Sequence, residues 1–172
     1  MIPMISVLLL MLMGSSQEVP VQSACATPEY AALDFWIGRW RVEDANGQPI
    51  GSSTVSRALD GCAVREEWRS DEVAGSSITA YDAATRLWHQ MWVDDSGTVL
   101  HLRGAANDSG IILTGARTGR DGTSRMYRMK LSPADAAVKQ VFDASEDGGD
   151  TWNAFFTGIY RREGNEDNGG RI

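Results

Sequence analysis

Between residues 35 and 162 the chain is written in short runs of alternating apolar and polar side chains, each cut off by Gly, Asp, Asn, Ser or Pro. A two-residue period is that of a strand with one buried face, and the interruptions are turn chemistry. Ten such runs can be marked: 35–42, 52–59, 62–69, 76–81, 86–94, 99–104, 110–117, 124–131, 138–144 and 152–162. No long amphipathic helix interrupts them. Many short strands with short local turns favour a meander over a Greek key, which needs long crossovers. The expectation is an all-β, roughly ten-stranded antiparallel up-and-down barrel. A short N-terminal helix precedes it, with Thr27 as its cap, Pro28 in its first turn and Glu29 near its positive end.

The most informative stretch is RLWHQMWVDDSGTVLHLRG, residues 86–104. Two alternating runs flank Asp94-Asp95-Ser96-Gly97, so it reads as a hairpin. Pairing Asp94 with Gly97 sets Trp92 opposite Val99, Gln90 opposite His101 and Trp88 opposite Arg103. That face then carries two indoles, an amide, an imidazole and a guanidinium. The other face carries Leu87, His89, Met91, Val93, Leu100 and Leu102. Trp88, Gln90, Trp92, His101 and Arg103 are therefore the expected ligand-contacting set, with a small, partly apolar molecule as the expected partner. An Arg103–Trp88 cation–π pair would need no ligand.

The first thirteen residues hold no charged side chain and are too short to span a bilayer, which takes about 20 apolar residues. They read as the apolar region of a secretory signal peptide, although the usual basic n-region is missing. Cleavage is expected after Gly14-Ser15-Ser16 or within Ala24-Cys25-Ala26. Gln22 stands where a lipoprotein signal at Cys25 would want an aliphatic residue. Residues 1–24 are thus a leader, 25–163 one barrel domain, and 164–172 a polar, Gly-rich tail expected to fray. A secreted or periplasmic location follows, with no membrane association after cleavage. The net charge of −7 argues against nucleic acid as a partner. The oligomeric state is open.

There are two cysteines, Cys25 and Cys62. An even count in an exported chain favours a bridge. It would close a loop worth roughly 3–4 kcal/mol in the chain-entropy model. The alternatives are two free thiols, or loss of Cys25 by cleavage after Ala26.

Gly38-x-Trp40 resembles the G-x-W of lipocalin and calycin barrels. In those barrels a basic residue of the last strand packs over the Trp, a role that the resemblance gives to Arg161 or Arg162, with Gly38, Trp40 and Arg161 taken as the signature set. The longer series Phe35-Trp36-Ile37-Gly38-Arg39-Trp40, Gly61-Cys62, Tyr81-Asp82-Ala83-Ala84, Trp88-His89-Gln90-x-Trp92-Val93-Asp94, Asp147-Gly148-Gly149-x-Thr151-Trp152 and Gly158-x-Tyr160-Arg161-Arg162 covers nearly all of the mature chain. It is similar to a family of exported bacterial proteins known only as a domain of unknown function. The resemblance implies a lipocalin-like fold, distantly akin to the haem-binding nitrobindins, and no activity. The nitrobindin haem motif, a second Gly pair soon after G-x-W, is replaced by Arg41-Val42-Glu43-Asp44. No cofactor is expected; haem is the alternative.

Residues 145–152, SEDGGDTW, match the Asp-box, a structural hairpin turn. Its Asp and Thr are expected to satisfy turn amides while Trp152 packs beneath; a Ca²⁺ site from Glu146, Asp147 and Asp150 would offer too few oxygens. His89 and His101 would lie on opposite hairpin faces, unable to share a metal, and no zinc spacing is present. There is no G-x-S-x-G motif and no paired acid and base, so no catalytic residue is assigned. Asp94, Asp95, Glu66 and Glu67 are expected to be solvated.

Overall fold

The computed structural model describes residues 23–164. The leader and its cleavage points upstream of residue 23 lie outside the described residues, as does the tail from 165 to 172. Ten strands form one closed antiparallel barrel: β1 (Gly38–Glu43), β2 (Pro49–Ala58), β3 (Ala63–Arg69), β4 (Ala74–Asp82), β5 (Leu87–Asp94), β6 (Val99–Asn107), β7 (Gly110–Thr118), β8 (Ser124–Ala134), β9 (Ala137–Ser145) and β10 (Asn153–Arg162). Each strand pairs with the next, and β10 closes the ring on β1 through Trp40↔Arg162 and Val42↔Tyr160. Closure removes every unpaired sheet edge.

The first strand begins three residues later than its aromatic run implies. Phe35 and Trp36 belong instead to a 3₁₀ turn, Asp34–Trp36, and the short helix is likewise a single 3₁₀ turn, Pro28–Ala31. Thr27 makes no side-chain cap bond there. Leu33 and Trp36 are fully buried, because this N-terminal segment covers one end of the barrel. Tyr30 meets Tyr81 edge-on at 5.4 Å, and Tyr81 in turn packs on Trp88. The Cys25–Cys62 disulfide ties the segment to the 3₁₀ turn Leu59–Gly61, and Ser23 Oγ donates to Asp60 O at 2.7 Å. Among the described residues no helix is long and apolar enough to cross a membrane.

Three hairpins share one loop design. Asp44, Asp94 and Gly119 each donate their N–H to the carbonyl four residues on, and each accepts from the N–H of the glycine three residues on. Those glycines, Gly47, Gly97 and Gly122, sit at φ of 80°, 81° and 79°. This is the three-residue loop that ends on a left-handed residue, a conformation glycine adopts without strain.

That loop corrects the register of the 86–104 hairpin. Asp94 pairs with Thr98, not Gly97. The pairs are Trp92↔Leu100, Gln90↔Leu102, Trp88↔Gly104, Met91↔His101 and His89↔Arg103. A one-residue slip turns a strand's faces over. Trp88, Gln90, Trp92, Leu100 and Leu102 therefore point inward. His89, His101 and Arg103 all stand on the outer wall.

Candidate functional site

The barrel is filled at one end and hollow at the other. Around the N-terminal plug, Trp40, Trp88, Leu113, Met129, Leu131 and Val138 pack as a dry core. Toward the opposite end a cavity of about 540 Å³ opens between the loops that follow β3, β5 and β7. Its walls are aromatic: Trp68, Trp92, Tyr127, Phe142 and Phe156, with the exposed ring of Phe155 at the rim. Trp68 and Phe156 meet edge-on at 5.8 Å, and Phe156 meets Phe142 at 6.3 Å.

Glycine makes room for the two indoles. A Cβ on Gly75 would stand 2.3 Å from the Trp92 ring, and one on Gly51 would stand 2.7 Å from the Trp68 ring. Trp92 Nε1 donates to Asp94 Oδ2 at 3.1 Å, which pins that ring at the mouth. Burial pushes the Asp94 carboxyl up, but hydrogen bonds from Ser96, Trp92 and Thr98 outweigh it and hold the group below the usual carboxylate range. Gly75→Ala is expected to displace Trp92 and cost about 1–3 kcal/mol of stability, as overpacking does. The denaturant midpoint would fall while the disulfide stays formed; an unchanged midpoint would mean the ring has free space that the packing denies.

The floor of the cavity is polar and buried. Glu66 on β3 is 3 % exposed. Ser53 Oγ donates to its Oε1 at 2.9 Å, and Ser77 Oγ reaches Oε2 at 3.3 Å. The Tyr160 hydroxyl donates to Gln140 Oε1 at 2.7 Å and lies 3.3 Å from Glu66 Oε1. Gln90 Nε2 reaches the Thr79 hydroxyl at 3.1 Å and the Ser77 hydroxyl at 3.5 Å. Burial pushes the Glu66 carboxyl up to about 7, despite the hydrogen bonds from Ser53, Tyr160 and Ser77. Burial, and the Glu66 charge beside it, raise the Tyr160 phenol well above its ordinary value. Gln90 and Gln140 are each 4 % exposed and line the cavity. Each leaves one amide atom without a hydrogen bond among the described residues.

Of the five residues expected to contact a ligand, Gln90 and Trp92 line this cavity. Trp88 faces the same way but lies lower, in the dry core. His101 and Arg103 are on the outer wall and border a shallow outer depression with His89. The Arg103–Trp88 pair is absent for the same reason. The two histidines share the outer face instead of lying on opposite faces, so neither reaches the lumen as a haem ligand. Glu66 was expected in solvent and is instead the centre of the floor. Its signal was in the sequence: in Val64-x-Glu66-x-Trp68 the strand period puts Glu66 on the face of two large apolar residues. Tyr160 and Gln140 carried no such local mark.

The signature residues at the closed end also need one correction. Arg162, not Arg161, lies over Trp40, with its guanidinium carbon 4.5 Å from the ring centre. The register sets Arg162 directly opposite Trp40, while Arg161 faces out and donates to Glu43 Oε2 at 2.8 Å. Gly38 sits at φ 155°, which side chains rarely adopt, and a Cβ there would also stand 2.6 Å from the Arg162 guanidinium and 3.3 Å from the Trp40 ring. In the 145–152 turn, Ser145 and Thr151 hydroxyls and the Thr151 N–H all donate to Asp147. These bonds, Ser145 first, hold its carboxyl well below the usual carboxylate range. Trp152 packs under Arg128, which with Lys130 covers the carboxylate of Asp143 at 2.8 Å. A search of protein-family models and a search of curated proteins return no match to this chain.

Proposed function

We propose that this chain is an exported, lipocalin-like barrel that holds a small, partly apolar molecule in its open half. The observation that carries the reading is the cavity itself. Its volume of about 540 Å³ lies within the roughly 300–1,000 Å³ of small-molecule sites, and it joins apolar walls to a few convergent polar groups. A solid-core interaction module without a ligand is the alternative reading, and a lumen of this volume counts against it. The Cys25–Cys62 bridge and the apolar N-terminus support export.

Nile red, which is neutral and brightens in apolar surroundings, tests the reading. Its emission is expected to rise and shift to the blue on adding the protein. Leu100→Trp, which puts an indole into the cavity, is expected to abolish the change while leaving the fold intact by circular dichroism. No response from Nile red, or a response that survives the filled cavity, would sink the lumen as a binding site.

A further inference from the structure

We propose that the ligand carries a protonated amine, seated on Glu66 at the cavity floor with its apolar body between Trp68 and Trp92. This rests on the lumen being a ligand site and adds the sign of the charge it accepts. Glu66 lines the cavity, and its Oε2 accepts only the long bond from Ser77 among the described residues, so it keeps an unused lone pair. Gln90 spends its amide nitrogen on Ser77 and Thr79, so its Oε1 is a second free acceptor among the residues that line the cavity. An ammonium offers three donors to such a set.

The charges along the cavity point the same way. Among the described residues that line the cavity, Glu66 lies at the floor and Glu72 and Asp94 toward the mouth, against one cation, Arg117. A carboxylate ligand would enter past two acids and find a third at the bottom with no cation beside it. A neutral alcohol has a single proton to donate and can serve only one of the two acceptors, Glu66 Oε2 and Gln90 Oε1. An ammonium satisfies both, and the faces of Trp68 and Trp92 attract cations. The desolvation of Glu66 is met when the chain folds, so a cation arriving there gains a partner whose water is already gone.

Three probes of one shape separate the possibilities: phenylbutylamine, phenylbutanol and phenylbutyrate, titrated by calorimetry at pH 8. The amine is expected to bind roughly tenfold or more tighter than the alcohol, as a hydrogen bond to a charged group implies, with the acid weakest. In Glu66→Gln the amine is expected to lose that advantage, roughly tenfold, while the alcohol keeps its affinity. Retained alcohol binding also shows that the variant is folded. If the alcohol or the acid binds as tightly as the amine, or if Glu66→Gln leaves the amine untouched, the amine proposal falls and the lumen site stands. If none of the three binds and Nile red is also silent, both fall.

Discussion

Trp40→Ala is expected to lower the unfolding free energy by about 3–5 kcal/mol, the usual cost of removing a buried indole. Trp40 is 2 % exposed and sits where the barrel closes on itself. Its ring is covered by Arg162 on one side and meets Tyr160 edge-on at 6.4 Å. Its Nε1 donates to Trp36 O at 2.9 Å, which fixes the N-terminal plug. Alanine would open a cavity, strand a buried carbonyl and leave a guanidinium facing it. Small domains are stable by about 5–15 kcal/mol, so the variant would lose a large fraction of its stability. Urea denaturation with the disulfide intact is the measurement, and a loss below about 1 kcal/mol would mean the closure does not depend on this ring. Two arginine variants sharpen the test. Arg162→Ala is expected to cost about 1 kcal/mol through the lost cation–π contact. Arg161→Ala removes only an exposed ion pair and should fall within about 0.5 kcal/mol of wild type.

The architecture was legible because one face of each strand is buried and the turns are written in glycine and aspartate. Ten runs became ten strands in sequential order. The 86–104 hairpin failed by a single residue of register. Asp94-Asp95-Ser96-Gly97-Thr98 allows a two-residue loop closed by Gly97 or a three-residue loop in which Gly97 is the left-handed residue. Both contain the same letters, and only the backbone geometry decides between them. The slip exchanged His101 and Arg103 for Leu100 and Leu102 on the inner face. The same ambiguity of one residue chose Arg161 over Arg162. Glu66 was missed for a different reason. A charged side chain is taken to be solvated unless something compensates its burial. Here the compensation comes from Ser53, Ser77 and Tyr160, the last lying 94 positions along the chain. Tyr160 reaches Glu66 only because β10 closes on β1, and no local pattern encodes that meeting.

Glu66 should also set how stability varies with pH. Its carboxyl rises from 4.5 to about 7 on folding, and burial is the main cause. Between those values the folded chain holds a proton that the unfolded chain releases. Stability therefore falls as pH rises through that window, the reverse of the usual carboxylate effect. At roughly 1.4 kcal/mol per unit, the shift makes the protein about 3 kcal/mol less stable at pH 8 than the same fold with a neutral group there. Glu66→Gln supplies that neutral group at nearly the same shape. The variant is expected to lie within about 1 kcal/mol of wild type near pH 5 and to exceed it by about 3 kcal/mol at pH 8. The lowered carboxyls of Asp94 and Asp143 contribute in the opposite sense, but their stabilisation is lost only as pH falls through values below 4, outside the window. Urea unfolding of both proteins from pH 5 to 8 reads the difference directly. A flat wild-type profile, or a variant no more stable at pH 8, would mean that the carboxylate is hydrated from the cavity and not held dry by it. The same charge that weakens the barrel at high pH is what an ammonium would neutralise. An amine ligand should therefore stabilise wild type more at pH 8 than at pH 5, and Glu66→Gln equally at both.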